Sequence, residues 1–169
     1  MSIWNCPVPT IAAVQGMCLG GGLELALAAD LTCAAADARV GQPEVQVGVF
    51  PPVAAALLPA EIGARNALDL LLTGRTLTGD EALRIGLVQR SWPAEQLLEE
   101  SRSLARRLAA LSRPVLAACK RAVRESTGRS FPTALELAEA VYAGLMPSHD
   151  ANEGLRAFVE KRKPAWKHA

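Results

Sequence analysis

Three adjoining pieces decide the fold: Thr10-Ile11-Ala12-Ala13-Val14, then Gly20-Gly21-Gly22, then Leu23-Glu24-Leu25-Ala26-Leu27-Ala28-Ala29. The first is short and wholly apolar, follows Pro7 and Pro9 and stops at Gly16, as a strand buried on both faces does. The last is a run of strong helix formers. Strand, glycine loop, helix is therefore the predicted order, which is the start of an α/β unit.

Working outward, Leu31 to Ala35 reads as a second buried strand, Asp37 to Pro43 as a loop, and Val45 to Phe50 as another apolar piece. Beyond it the pattern turns helical. Ala64 to Leu72 is closed by Thr73-Gly74, and Thr78-Gly79-Asp80-Glu81 opens a short helix ending near Gly86. Leu87 to Arg90 reads as a last strand. Pro93 to Leu111 alternates Leu and Ala with Glu and Arg at helical spacing, and further helices fit Pro114 to Glu125, Pro132 to Leu145 and about Ala151 to Lys163. The expectation is an α/β core over residues 1–92, with the glycine loop, followed by a helical region over 93–169 that packs on the α/β part or on a neighbouring subunit.

Composition narrows the function. With 169 residues, half of them hydrophobic, the chain is long enough for one sizeable core. Its 18 Lys and Arg nearly balance 17 Asp and Glu, so no strong field draws it to nucleic acid or an anionic membrane. The uncharged first 23 residues lack a basic leader and are interrupted by Asn5, Pro7, Pro9, Gln15 and the three glycines, which argues against a signal peptide or a membrane span. Val45 to Ala60, also uncharged, holds Pro51, Pro52 and Pro59; both stretches read as buried strands and loops. Cys6, Cys18, Cys33 and Cys119 form no CxxC pair and have no nearby His, so no metal site is predicted; they read as reduced, mostly buried side chains of a cytoplasmic protein. With only His149 and His168 available, chemistry must come from carboxylates and backbone.

The glycine loop has two readings. Backbone N–H groups entering a helix can hold an anion or oxyanion, or the glycines can simply allow tight strand–helix packing. No Lys-Ser or Lys-Thr follows, so it is not a P-loop, and it is not GxGxxG. Glu24 lies among Leu and Ala with no Lys or Arg before Arg39, surroundings that would leave its carboxylate poorly solvated and raise its pKa, as a general acid or base requires. The other reading is a surface glutamate near a helix start. Glu44, in Gly41-Gln42-Pro43-Glu44, sits between a rigid proline and an apolar run. Glu24 and Glu44 could share one water as acid and base, or Glu44 could be a turn residue facing solvent.

These pieces together, Pro9 to Gly16, Gly20 to Ala26 and Gly41-Gln42-Pro43-Glu44, resemble the enoyl-CoA hydratase/isomerase (crotonase) family. The likeness continues through Leu72-Thr73-Gly74, Ala82 to Val88 and Glu153 to Phe158 into Glu160-Lys161-Arg162, over nearly the whole chain. It implies a repeated ββα spiral with a helical tail, assembled as trimers or hexamers. It further implies an N–H of Gly21 holding the thioester oxygen, and Glu24 and Glu44 flanking the water that adds to an α,β-unsaturated acyl-CoA. Gly20, Gly22, Gly48 and Phe50 would line the substrate pocket, and Tyr142 and Lys161 would touch the adenosine end of CoA. The reaction so implied uses the CoA thioester as substrate and no bound cofactor or metal. Two glutamates favour hydratase over isomerase chemistry. In Val49-Phe50-Pro51-Pro52-Val53-Ala54-Ala55 the usual glycine-rich turn is replaced, which looks more like the dienoyl-CoA hydratases of aromatic-ring degradation. The resemblance also implies a further α/β half before Thr10, with a second oxyanion donor, whose loss typically costs about 10²–10³ in rate. The alternatives are a truncated or non-catalytic subunit that binds acyl-CoA or a partner chain, and an enoyl-CoA isomerase.

Overall fold

The computed structural model describes residues 2–169, and its contacts divide them into two compact units, one of residues 2–6 with 10–105 and one of 7–9 with 106–169.

The first unit holds both sheets. Strand β1 (Ile11–Val14), β3 (Leu31–Ala35) and β6 (Arg90–Trp92) form one parallel sheet in the order β1-β3-β6. Strand β2 (Met17–Leu19), β4 (Arg39–Gly41) and β5 (Thr76–Thr78) form the other, with β2 parallel and β5 antiparallel to β4. The β1–β3 register is set at its start by Asp30, whose Oδ2 accepts from both the N–H and the hydroxyl of Thr10 at 2.7 and 2.8 Å. Inward-facing Cys33, Ala34, Ala35 and Val40 are fully buried and meet Leu23, Leu58, Leu70, Leu77 and Val88 in one apolar core. Small residues on β3 allow very close approach: a Cβ on Gly79 would stand 2.0 Å from the carbonyl oxygen of Ala35, so only glycine fits there.

Helix α1 (Gly21–Leu27) follows β2 directly, and α3 (Gly79–Arg84) opens with a capping box in which Thr78 and Glu81 exchange side-chain and backbone hydrogen bonds of 2.7 and 3.2 Å. Helix α2 departs from expectation. It runs from Pro52 to Thr73, not from Ala64, bends at Gly63 (φ 75°, ψ 153°) and contains Pro59. Proline at the first helical position is pre-organised for a helix start, and that signal outweighed the absence of a clear period in an apolar run. The preceding Val45 to Phe50 is no buried strand: Pro43–Val47 is a single 3-10 turn, and Val47 and Phe50 are 78% and 71% exposed. The last strand lies at Arg90–Trp92 rather than Leu87 to Arg90; at its start Gln89 meets Thr32 twice, its N–H donating to the Thr32 carbonyl at 2.8 Å and its side-chain carbonyl accepting the Thr32 N–H at 2.7 Å.

Helix α4 (Ala94–Ala109) leads from the first unit into the second, which holds α5 (Arg113–Ser126), α6 (Phe131–Leu145) and α7 (His149–Val159). Only Val141 and Ala157 are buried apolar residues there. Order in the tail comes instead from two carboxylates on α7. Asp150, fully buried, accepts the N–H groups of Lys167 and His168 at 2.8 and 3.0 Å, and Glu153 accepts from the two terminal guanidinium nitrogens of Arg162 at 2.6 and 3.0 Å and from the Ala165 N–H at 2.8 Å. Trp166 lies over Gly154, which has no side chain to obstruct it, and donates its indole N–H to the Ala110 carbonyl at 3.1 Å.

The four cysteines are free; Cys18 and Cys33 are buried, whereas Cys6 is half-buried and Cys119 exposed, so burial holds for only two of them. Among the described residues no helix is long and apolar enough to cross a membrane.

Candidate active site

The pairing of β2 with β4 is what gathers the site. The strands run parallel with Leu19 opposite Gly41, so the segments that follow them leave the same edge of the sheet. One segment is Gly20 and α1, carrying Glu24. The other is Gln42-Pro43-Glu44. They are tied together by a hydrogen bond from the Gly20 N–H to the Gly41 carbonyl at 3.0 Å.

Gly20 is the hinge of this arrangement. Its φ of 54° with ψ −127° is a backbone conformation that calls for glycine, and a Cβ there would lie 2.7 Å from Oε1 of Glu44, so any side chain would also displace that carboxylate. Glu44, half-buried, is held from behind by Gln42, which is fully buried; with its amide nitrogen facing the carboxylate, that nitrogen donates to Oε2 and Oε1 of Glu44 at 3.0 and 3.1 Å. The Gln42 position in the motif thus fixes the glutamate two residues later. The Glu44 side chain is neither extended into solvent nor part of the apolar core.

Glu24 is also half-buried. Its Oε1 accepts the backbone N–H groups of Val53 and Ala54 at 3.1 and 3.0 Å, at the start of α2. The N–H groups of the first turn of α1, Gly21 among them, have no side-chain cap.

Glu24 and Gly21 face a cavity of about 490 Å³ whose walls are otherwise apolar: Leu25 and Ala28 from α1, Pro52, Val53, Ala56 and Leu57 from α2, and Trp4. Of the residues expected from sequence, Glu24 and Gly21 line this cavity, whereas Glu44 lies against Gly20, the residue just before Gly21. Gly22 has only the Cys18 sulfur within reach of a would-be Cβ, and Gly48, at φ 80°, ends the 3-10 turn facing open space. Neither these two, nor Phe50, Gly20 or Glu44, lines the cavity. Trp4, Pro52 and Leu57 do line it, and sequence reasoning missed them; the Pro51-Pro52 pair was the available signal, since it marks a helix start whose first turn faces α1. Tyr142 and Lys161 belong to the second unit, where Tyr142 is 62% exposed rather than a core tyrosine, and Lys161 is exposed with a φ of 54°. Among the described residues no group of three or more His, Cys, Asp or Glu is placed to hold a metal ion.

Known proteins share both the sequence and this architecture. The chain is 44% identical over 170 residues to a Thauera aromatica protein named cyclohexa-1,5-dienecarbonyl-CoA hydratase, with 97% of this chain and 64% of that protein covered. It is 39% identical to a probable enoyl-CoA hydratase of Bacillus subtilis, covering 98% of this chain and 65% of the relative. A crystal structure of an enoyl-CoA hydratase subunit from Geobacillus kaustophilus superposes with a TM-score of 0.95 at 38% identity, over 99% of this chain and 65% of that one. The crotonase-like α/β fold with a helical C-terminal region is therefore common to them, and the chain spans less than two thirds of the length of these relatives. A sequence model described as enoyl-CoA hydratase/isomerase matches residues 1–169, and with it the shared fold and identities establish that this chain belongs to the enoyl-CoA hydratase/isomerase family.

Proposed function

We propose that this chain carries the acid/base site of a hydro-lyase that adds water across the double bond of an α,β-unsaturated acyl-CoA thioester. The observation that carries the reading is the placement, on segments that leave the parallel β2–β4 pair at the same end, of Glu44 against Gly20 and of Glu24 and Gly21 on the wall of an apolar cavity.

In this reading the acyl group occupies the cavity, and the Gly21 N–H, at the start of α1, faces the thioester oxygen as it takes on enolate charge. Glu24 takes a proton from the water whose oxygen bonds to the β-carbon. Glu44, oriented by Gln42, delivers a proton to the α-carbon, so that H and OH add across the bond. Two carboxylates suit this addition better than an isomerisation, for which one shuttling group suffices. The name of the Thauera relative, together with cavity walls of Trp4, Pro52 and Leu57, supports a cyclic or bulky acyl group. The CoA thioester is the substrate, Tyr142 and Lys161 are assigned to its adenosine end, and the working protein is a cytoplasmic homo-oligomer, a trimer or a pair of trimers.

The test follows loss of the conjugated thioester absorbance with crotonyl-CoA and with a cyclic dienoyl-CoA, for the purified chain and its Glu44→Gln variant. Hydration abolished by the substitution in a folded protein supports the assignment. Hydration that continues unchanged overturns the role of Glu44, and a preference for crotonyl-CoA overturns the cyclic acyl group.

A further inference from the structure

We infer that the first turn of α2 is a positioning element for Glu24: the Val53 and Ala54 N–H groups clamp its Oε1 and leave Oε2 as the one oxygen free to exchange a proton. The inference rests on the hydratase reading for its consequence in catalysis and on geometry alone for the clamp.

The first turn of any α-helix has N–H groups without intrahelical acceptors, and each needs a partner. In α2 the accounting closes. The N-cap, Pro51, and the first helical residue, Pro52, have no N–H to offer. Ala55, the fourth, already donates to the Pro51 carbonyl at 2.9 Å. Only Val53 and Ala54 remain, no side chain caps them from within the turn, and both donate to the same oxygen of Glu24. The Pro51-Pro52 pair thus does two things at once. It starts the helix at a fixed backbone angle, and it removes the two donors that could have competed for the carboxylate or offered themselves to a substrate or water. Hydrogen bonds from both amides fix the carboxylate plane. An oxygen that accepts two N–H groups has no room for a proton of its own, so proton exchange is confined to Oε2.

Amide exchange tests the clamp without reference to activity. Helix-start amides normally exchange fast; here those of Val53 and Ala54 should be slowed about tenfold or more, as expected for hydrogen bonds to a charged acceptor. Glu24→Ala should abolish that protection and leave Ala55, bonded to Pro51, unchanged. Fast exchange in the wild-type chain, or protection indifferent to Glu24→Ala, overturns the inference. The catalytic arm uses Val53→Pro, which removes one donor at a first-turn position where proline is tolerated and where the side chain is already 44% exposed. Its kcat should fall about tenfold to a hundredfold below that of Val53→Ala, which trims the same cavity wall but keeps the N–H, as for a misoriented acid/base group; a kcat equal to that of Val53→Ala overturns the positioning role. A wild-type chain whose amides are protected through Glu24 but which hydrates no enoyl thioester upholds the clamp and removes the hydratase reading instead.

Discussion

The two units solve the problem of order by opposite means. In the first, small and branched apolar side chains from both sheets and from α1 and α2 close one core, and few polar side chains, Thr32, Gln42 and Ser101, are buried with it. In the second, with only two buried apolar residues, ordering of the last turn and tail rests on Asp150 and Glu153. Charge follows the same division: residues 2–105 hold six Lys and Arg against eleven Asp and Glu, and residues 106–169 hold twelve against six. Two carboxylates can be sunk into the second region because an excess of cationic and N–H partners surrounds them there. The lesson is that a carboxylate's role depends on what it accepts from. Glu24 and Glu44 keep backbone and amide partners behind them and an open side in front, whereas Asp150 and Glu153 are enclosed by partners drawn from the tail.

This contrast predicts different responses to perturbation. The largest effect is on chemistry: Glu44→Gln should lower hydration by about 10²–10⁴, the usual worth of a general acid or base, while leaving the unfolding midpoint where it was. A drop in stability instead would mean that Glu44 belongs with the structural carboxylates. Next, Leu70→Ala in α2 should destabilise the first unit by about 2–5 kcal/mol, the cost of a cavity in a close-packed core, measured by chemical denaturation, and that cost should not change between pH 7 and pH 4.

The second unit should respond to acid. Burial would push the Asp150 carboxyl up, but the Lys167 N–H, Ser112, His149 and the His168 N–H more than offset it and hold it well below the usual range. The Arg162 guanidinium and the Ala165 N–H bring Glu153 down to about 2. Both pKa values are lowered by folding, so the stability they confer is present in full above the ordinary carboxylate values and is lost as pH falls through the folded ones. The stability that Glu153 confers should therefore decline from about pH 4.5 downwards and be lost as pH falls through about 2, taking the protection of the Ala165 amide with it, while the Lys167 and His168 amides held by Asp150 persist to lower pH, and the β-sheet amides of the first unit outlast them all. Simultaneous loss would erase the distinction between the units. The smallest effect should come from the exposed Arg121–Glu125 pair on α5: Glu125→Gln should change stability by less than about 0.5 kcal/mol, since such i,i+4 surface pairs contribute little.

Part of the arrangement was legible because it is local: a glycine run entering a helix marks Gly20 and Gly21, with Glu24 just inside the helix, while Glu24 and Glu44 stood out as a pair only through the resemblance to a family motif; Leu31 to Ala35 was readable as a strand over the same residues that form β3. What could not be read was set by partners distant in sequence. Strands β2, β4 and β5 have three residues each, too short for a period, and exist because they pair with one another. The uncharged stretch through Pro51 and Pro52 reads as core by hydropathy, yet it supplies an exposed turn and the start of a helix whose N–H groups face Glu24. Buried carboxylates are equally invisible, since nothing in the letters of α7 distinguishes Asp150 from a solvated acid until the tail returns to meet it.

The seat of Trp166 on Gly154 also gives the molecule an optical handle. The three tryptophans divide between the regions: Trp4 borders the cavity, Trp92 ends β6, and Trp166 alone lies in the helical unit, its indole nitrogen tied to Ala110. In a chain whose other two tryptophans are replaced by phenylalanine, emission would come from that single ring. Its colour would then record when the C-terminal segment leaves α7, and a stopped-flow acid jump could time that departure separately from the melting of the sheets.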